Sequence, residues 1–280
     1  MKLLLIFLFI TGISEFLLAA DASYESFRFF KNGKTHHGKV YLPKDFNCQQ
    51  EQYWVLFNWH GWAQSPDNQN ERIDARSFAD ENRGIIVAAS DELCPEQDSW
   101  VSCTTEEMKE VVDWAYEKYS CIDQNKTVFG SYSAGGQAAY RYMSTYPHEV
   151  IGMIALSANG HFAGETQKQK VDIVHIHGSS DRAPYYARCG NYPCYDGPSP
   201  VGGRRWVLEG LGQSLNCNED EMITSRVTVA GVNYTSERWE RGSCDYGSTL
   251  RVLSANGKGH NLTVPDKITN HALKHILNMN

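Results

Sequence analysis

Apolar residues in this chain form short β-branched or aromatic runs, which alternate with longer runs of helical periodicity. The short runs predict strands near 25–31, 37–42, 52–59, 84–89, 126–131, 150–156, 171–177 and 248–254. The longer runs predict helices near 70–82, 105–119, 134–145, 203–215 and 266–278. Because strands and helices alternate through the middle of the chain, the pattern predicts an α/β fold. We expect a mostly parallel central sheet with helices on both faces.

Two parts of the pattern depart from this alternation. The first two predicted strands follow each other without a helix, so we expect an antiparallel N-terminal edge. A further pair of strands is predicted near 222–230 and 233–240. The chain contains no internal repeat and no low-complexity linker. We therefore assign residues 21–280 to one large domain.

The first twenty residues have the composition of a targeting segment. Residues 1–20 contain one lysine, an apolar stretch and small residues at their end, which is typical of a secretory signal peptide. A membrane anchor is the alternative, but polar residues between positions 11 and 15 interrupt the apolar run before it could span a bilayer. We therefore predict a secreted, extracellular protein that does not associate with membranes.

Eight cysteines in a chain predicted to be secreted indicate disulfide bonds. Local spacing suggests two short loops, and the remaining four cysteines would form two longer ones. The predicted pairs are Cys94–Cys103, Cys189–Cys194, Cys48–Cys121 and Cys217–Cys244. A zinc site is the rival interpretation, but the chain lacks a Cys-x-x-Cys pair, so we expect no metal.

Charge and glycosylation motifs narrow the class of partner. The net charge is −7 and the lysines and arginines form no stripe, so nucleic acid binding is not expected. Of three N-glycosylation motifs, we expect Asn125 and Asn233 to be modified in a eukaryotic host. Asn261 adjoins a candidate catalytic histidine, so we expect it to be unmodified. We also expect a monomer.

A serine flanked by small residues stands where the strand near 126–131 meets the helix near 134–145. The segment reads Ser131-Tyr132-Ser133-Ala134-Gly135 and predicts a nucleophile elbow, a sharp turn that exposes one hydroxyl. Ser131 takes the place of the usual first glycine of this motif. Ser133 could instead be an ordinary helix cap. Glycine at 135 and again at 136 argues against that, since each costs roughly 1 kcal/mol in a helix relative to alanine.

An acid and a base follow the serine in the chain. Asp181 comes just after the strand near 171–177, and His260 lies in a glycine-rich loop after the strand near 248–254. Each could be an ordinary turn or loop residue. Their order and placement together predict that Ser133 is the nucleophile, Asp181 the acid and His260 the base.

Other acids and histidines were weighed for the same roles. Asp172, Asp196 and Asp245 are weaker candidates for the acid. His175 and His177 alternate along one strand, where they could form a metal pair. We interpret them as packed strand histidines, because such pairs are more often structural.

The oxyanion hole and the substrate contacts are predicted from neighbouring loops. The strand near 52–59 ends at His60-Gly61-Trp62, and we assign one backbone N–H donor to Trp62, with Gly61 as the alternative. Ala134 would supply the second donor. Taken alone, this loop reads as an ordinary strand-ending turn. Four aromatic residues are predicted to contact substrate, and for Trp100 and Tyr185 core packing is an equal alternative. The set is Trp62, Trp100, Tyr132 and Tyr185.

Together these segments resemble the secreted polyhydroxybutyrate depolymerase and feruloyl esterase group of α/β-hydrolases over residues 25–278. The segments that carry the resemblance are His60-Gly61, Cys121-Ile122-Asp123, Ser133-Ala134-Gly135-Gly136, His177-Gly178-x-x-Asp181, Gly259-His260 and the stretch from Trp206 to Cys217. The resemblance implies an α/β-hydrolase fold and a Ser133, Asp181, His260 triad that needs no cofactor. The departures are Ser131, and Asn261-Leu262 after the histidine.

The resemblance implies an ester substrate. The first expectation is a feruloyl-type carboxylesterase acting on plant cell-wall esters. A polyester depolymerase and an acetyl xylan esterase are the alternatives, and a serine peptidase with the same triad is a further one. A non-catalytic binding protein built on the same fold is the alternative of another class.

Overall fold

The computed structural model describes residues 23–90, 105–158, 169–181 and 202–279. Ten strands lie in these ranges, and nine of the ten begin and end within three residues of the predicted positions. Their bounds are β1 Ser23–Lys31, β2 Lys34–Leu42, β3 Tyr53–Trp59, β4 Gly84–Ala89, β5 Ile122–Tyr132, β6 Gly152–Leu156, β7 Asp172–Gly178, β8 Ile223–Val229, β9 Val232–Trp239 and β10 Thr249–Ala255. The predicted signal peptide lies outside the described residues.

Within the described residues, all ten strands join one sheet in the order β1-β2-β4-β3-β5-β6-β7-β10-β9-β8. The six strands from β4 to β10 in that order are parallel to one another. The first two strands form an antiparallel edge, and β9 and β8 form an antiparallel edge at the other side. The mostly parallel sheet and its antiparallel N-terminal edge are therefore confirmed.

The helices agree with the predicted pattern except at the first. Their bounds are α1 Pro66–Arg72, α2 Arg76–Asn82, α3 Thr105–Lys118, α4 Ala134–Thr145, α5 Gly202–Ser214 and α6 Asp266–Ile276. The single helix predicted near 70–82 was wrong, because two short helices occupy this region. The Ser65 hydroxyl caps the first, and the Asp74 carboxylate accepts the Arg76 backbone N–H and starts the second.

The sheet separates two apolar layers, which explains why the central strands read as nearly continuous apolar runs. Along β3, Phe57 and Trp59 pack in the layer that contains buried residues of α3, α4 and α5. Trp54 and Leu56 point to the other layer, with buried residues of α2 and α6. Strands covered on both faces need apolar side chains at every position. Helices therefore cover both faces, as predicted.

Two of the four predicted disulfides fall within the described residues, and both are confirmed. Cys48 pairs with Cys121, and Cys217 pairs with Cys244. Closing loops of this length stabilises the folded state by roughly 4 kcal/mol each in the chain-entropy picture. Cys94, Cys103, Cys189 and Cys194 lie outside the described residues. No helix in the described ranges combines the length and the apolar character needed to cross a membrane.

Candidate active site

The turn between β5 and α4 carries Ser133 in a strained backbone conformation. Its φ is 50° and its ψ is −116°, a region that side-chain-bearing residues rarely adopt. Such a residue costs about 1–3 kcal/mol and persists only where its surroundings hold it. Ser133 makes no side-chain capping hydrogen bond to α4. The ordinary helix cap is therefore excluded, and the turn has the shape of a nucleophile elbow.

The two glycines after Ser133 are required by close backbone contacts. A Cβ on Gly135 would lie 2.4 Å from the Trp59 carbonyl oxygen. A Cβ on Gly136 would lie 2.1 Å from the Cβ of Ala158. The start of α4 therefore packs directly against the end of β3 and the loop after β6.

The structure brings the three predicted catalytic side chains into one hydrogen-bonded series. His260 Nε2 lies 2.9 Å from Ser133 Oγ, and His260 Nδ1 lies 2.8 Å from Asp181 Oδ2. The Asp181 side chain is buried, whereas that of His260 is partly exposed. Since the carboxylate can only accept, His260 donates from Nδ1 and leaves Nε2 to accept the serine proton. This is the tautomer that a general base needs.

The loops that carry the acid and the base are joined through their backbones. Ser179 N–H donates to the Ala255 carbonyl at 3.0 Å, and Ser180 N–H donates to the Lys258 carbonyl at 2.8 Å. A Cβ on Gly178 would lie 2.2 Å from the Gly259 carbonyl oxygen, so the two loops touch at this glycine. The distance between Asp181 and His260 is thus set by backbone contacts rather than by flexible side chains.

The loop after β3, which the sequence predicts to contribute to an oxyanion hole, lies beside Ser133. A Cβ on Gly61 would lie 3.4 Å from the Cβ of Ser133. Ala134 is the first residue of α4, and N–H groups at a helix N-terminus have no acceptor within the helix. Buried His60 contacts the Gly61 carbonyl through Nδ1 at 2.8 Å, and burial lowers the pKa of its imidazole to about 4. The loop is therefore held by a neutral ring.

Of the four aromatic residues predicted to contact substrate, Trp62 is the one that the described structure leaves accessible, with 50% of its surface exposed. Tyr132 is only 3% exposed, and its assignment as a substrate contact stays a prediction. The Arg72 guanidinium lies 4.1 Å from the centre of the Tyr132 ring, and the Tyr132 hydroxyl donates to Asn261 Oδ1 at 2.9 Å. Trp100 and Tyr185 lie outside the described residues.

Arg72 is a site residue that the sequence did not indicate. Its Nε donates to Gln64 Oε1 at 2.9 Å in the loop after β3, and its Nη1 donates to the Leu262 carbonyl at 2.7 Å in the histidine loop. Together with its contact on Tyr132, it links the chain segments that carry Gly61, Ser133 and His260. Leu262 is 190 positions away in sequence. No local spacing could have revealed this contact.

The histidines of β7 were only partly understood from the sequence. His175 and His177 are buried, as predicted for packed strand residues. His177 Nε2 also lies 3.1 Å from Asp181 Oδ2, so it contacts the proposed acid directly. The spacing of four residues between His177 and Asp181 across a strand end was the available signal.

The weaker acid candidates lie elsewhere. Asp172 begins β7 at the opposite end of the strand from Asp181 and accepts from the Thr249 hydroxyl at 2.8 Å. Asp245 follows Cys244 and contacts the Asn216 amide. Asp196 is outside the described residues. The predicted glycosylation sites Asn125 and Asn233 are both exposed, and their modification stays a prediction.

Comparison with known proteins gives matches among ester hydrolases. The phospholipase/carboxylesterase family model matches residues 84–187, a range that contains Ser133 and Asp181. The bifunctional acetylxylan esterase/xylanase XynS20E of Neocallimastix patriciarum is 22% identical over 236 residues. The match covers 81% of this chain but 31% of that protein, so the chain spans about a third of its curated relative.

Two solved structures extend the comparison. The acetyl xylan esterase of Aspergillus awamori superposes with a TM-score of 0.64 at 12% identity, covering 90% of this chain and 98% of that one. The feruloyl esterase module of Clostridium thermocellum superposes with a TM-score of 0.55 at 11% identity, covering 92% and 88%. At these identities the likeness establishes the fold. The chain has the α/β-hydrolase fold, and the predicted resemblance to esterases of this fold is confirmed.

Proposed function

We propose that this protein is a serine carboxylesterase in which Ser133 is the nucleophile. The observation that carries the proposal is the hydrogen-bonded series from Ser133 through His260 to Asp181, built on a strained turn. A structural serine needs neither the strain nor a histidine ordered by a buried carboxylate. A strained turn and an oriented histidine together are the features expected around an activated serine nucleophile.

The geometry gives each residue one step of acyl transfer. His260 Nε2 accepts the Ser133 proton as Oγ attacks the ester carbonyl, and the backbone N–H groups of Trp62 and Ala134 stabilise the oxyanion. His260 then protonates the leaving alcohol. Water attacks the acyl-enzyme by the same route in reverse. Asp181 keeps the imidazole in the required tautomer and stabilises its cationic form.

Acyl esters of plant cell-wall xylan are the proposed substrates, with acetyl groups first. Both the curated relative and the Aspergillus awamori structure carry the acetyl xylan esterase name. Trp62 is exposed and follows Gly61, which lies beside Ser133, and this supports hydroxycinnamate esters as the second candidate because an indole stacks on a planar acyl group. Likeness to the feruloyl esterase module supports the same candidate. This order differs from the sequence-based expectation, which put feruloyl esters first.

We also propose that the protein is secreted, as an enzyme acting on cell-wall esters must be. Cell-wall polysaccharide is outside the cell, and disulfides persist in oxidising compartments. The two pairs within the described residues support an extracellular protein.

The test compares wild type with Ser133→Ala, using Ser131→Ala as the matched control. Ser131 is a buried serine two residues earlier, near the end of β5. We expect release of acetate from acetylated xylan and hydrolysis of p-nitrophenyl acetate to fall at least about a thousandfold in Ser133→Ala. A phosphonofluoridate should add covalently to wild type and to Ser131→Ala but not to Ser133→Ala, as seen in the intact mass.

Three outcomes separate the alternatives. Ferulate release from methyl ferulate without acetate release would favour the second substrate. Clearing of a polyhydroxybutyrate film alone would favour a polyester depolymerase. No hydrolysis and no phosphonate adduct in wild type would contradict the enzyme and leave the binding-protein interpretation.

A further inference from the structure

We propose that His177 is a positioning residue for Asp181, and that His175 and Tyr140 fix its proton arrangement. This inference rests on the proposed esterase function. It extends the three-residue series inward to six side chains. The reaction itself would still be performed by Ser133 and His260.

The contacts form a continuous line behind the acid. His177 Nε2 lies 3.1 Å from Asp181 Oδ2, the same oxygen that His260 Nδ1 contacts at 2.8 Å. His175 Nε2 lies 3.4 Å from His177 Nδ1, and the Tyr140 hydroxyl lies 3.1 Å from His175 Nδ1. The two imidazole rings are stacked, with centroids 5.6 Å apart.

The acceptor at one end determines the direction of every hydrogen bond in the line. An ionised carboxylate only accepts, so His177 Nε2 must carry a hydrogen and donate. With a single ring hydrogen on Nε2, His177 has a lone pair on Nδ1, which accepts from His175 Nε2–H. Neutral His175 in turn has a lone pair on Nδ1, which accepts from Tyr140. Assigned in this way, the pattern leaves one tautomer for each ring.

The surroundings of His175 disfavour its charged form. Burial lowers the pKa of His175 well below its ordinary value, and the nearby His177 lowers it further. The strand neighbours in register are Ala155 and Val252 for His175 and Ser254 for His177, and none of these carries a charge. Among the described residues, Tyr140 and Asp181 are titratable side chains in contact with the two rings.

A second donor on Asp181 Oδ2 restricts the rotation of the carboxylate. With two N–H groups converging on one oxygen, that oxygen stays in line with His260. The Asp181 side chain is almost completely buried, where hydrogen bonds are stronger than in water. Removing the His177 donor would let the carboxylate turn and would leave more negative charge on the oxygen facing His260.

The experiment compares wild type with His177→Phe and His177→Gln on p-nitrophenyl acetate. Phenylalanine keeps the flat ring without a donor, whereas the glutamine amide nitrogen can donate from about the place of Nε2. We expect kcat to fall about 10- to 100-fold in His177→Phe with KM little changed, because misplacing a catalytic group by about 1 Å costs about a hundredfold. The glutamine variant should recover most of this loss.

The pH profile distinguishes positioning from packing. A carboxylate with one fewer hydrogen bond attracts the imidazolium proton more strongly, so the acid limb of kcat/KM should move to higher pH in His177→Phe. His177→Gln should keep the wild-type limb. A packing role would leave this limb in place.

Two results would overturn the inference while leaving the esterase intact. One is wild-type kcat and pH profile in both variants. The other is equal loss in both, accompanied by a lowered melting temperature and an unmoved acid limb. If the His177 variants do not fold, Tyr140→Phe carries the test, with an expected severalfold fall in kcat and the same direction of limb shift. Unchanged kcat and pH profile in Tyr140→Phe would contradict the proposed hydrogen-bonded line from Asp181 to Tyr140. Failure of the esterase itself would appear separately, as a wild type that takes no phosphonate adduct.

Discussion

The two ends of the hydrogen-bonded line from Ser133 to Tyr140 lie in opposite environments. At the outer end the His260 side chain is 24% exposed, and Ser133 is partly exposed beside it. At the inner end the side chains of Asp181 and His177 are 3% and 2% exposed. In the proposed esterase, substrate must reach the first pair, whereas the second pair must hold an orientation without competition from water. Ser133 and His260 would thus provide access for substrate, and Asp181 and His177 would provide a fixed orientation for the histidine.

The two ends are also built from different backbone. Ser133 stands on a turn with a positive φ, where strain pushes the hydroxyl out of the sheet. His175 and His177 stand on β7, a regular strand paired on both sides. Within this line, backbone strain is therefore found at Ser133, the reacting end. The buried end, at His175 and His177, is held in place by the regular hydrogen bonding of β7. Substitutions that disturb the buried end test this division.

The largest effect is expected from Asp181→Asn, which removes the charge at the buried end and keeps the shape. The amide cannot stabilise the imidazolium, and it permits the wrong histidine tautomer, so we expect kcat to fall by about 10⁴. Steady-state kinetics on p-nitrophenyl acetate give the value. Phosphonate labelling of Ser133 should slow in parallel.

Folding provides the control for this variant. Far-ultraviolet circular dichroism of Asp181→Asn should match wild type, since the side-chain volume is nearly unchanged. A kcat within tenfold of wild type would show that the charge of Asp181 is not used, and the comparison between the two ends would lose its basis.

A smaller effect is expected from Gly178→Ala, which forces apart the loops that carry the acid and the base. The new Cβ would lie 2.2 Å from the Gly259 carbonyl oxygen and 2.4 Å from that of Lys258. Both are backbone atoms, so a loop must move. We expect roughly a hundredfold lower kcat, since a shift of about 1 Å in a catalytic group has this effect.

Gly259→Ala is the matched control for this variant. A Cβ at this position meets nothing within 4 Å, although the residue adjoins His260. Its kcat should stay within about twofold of wild type. Equal loss in both variants would mean that loop flexibility, rather than crowding at Gly178, sets the distance between acid and base.

The strands and helices could be predicted well because the patterns that specify them involve residues close together in the sequence. Apolar runs and helical periodicity are properties of neighbouring residues, so nine of the ten strands ended within three residues of prediction, β5 being the exception. The one helix that was predicted wrongly is divided in two at a single side chain, Asp74. Asp74 binds the Arg76 N–H and starts a new helix where periodicity alone continues the old one.

The site was predictable only where the motif was also local. Ser133, Asp181 and His260 each follow a predicted strand, and parallel strands end at a common edge, so their meeting could be foreseen. Arg72 could not be found in this way, because its partners lie far apart in the sequence, in two loops and at the end of β5. The burial of Tyr132 could not be foreseen either, since whether an aromatic ring faces solvent depends on which side chains cover it.

The smallest effect is expected from Ser131→Ala, beneath the reacting end. Ser131 replaces the glycine of the usual elbow, and its buried hydroxyl has no hydrogen-bond partner among the described residues. Leaving such a group unpaired costs about 1–3 kcal/mol, so its removal should raise the free energy of unfolding by about 1 kcal/mol. The melting temperature should rise by roughly 2–4 °C with kcat unchanged. A loss of stability or of kcat would mean that the hydroxyl is bonded, by a buried water or by the elbow itself. Ser133 would then depend on a polar contact made by Ser131, as Asp181 depends on the contact with His177.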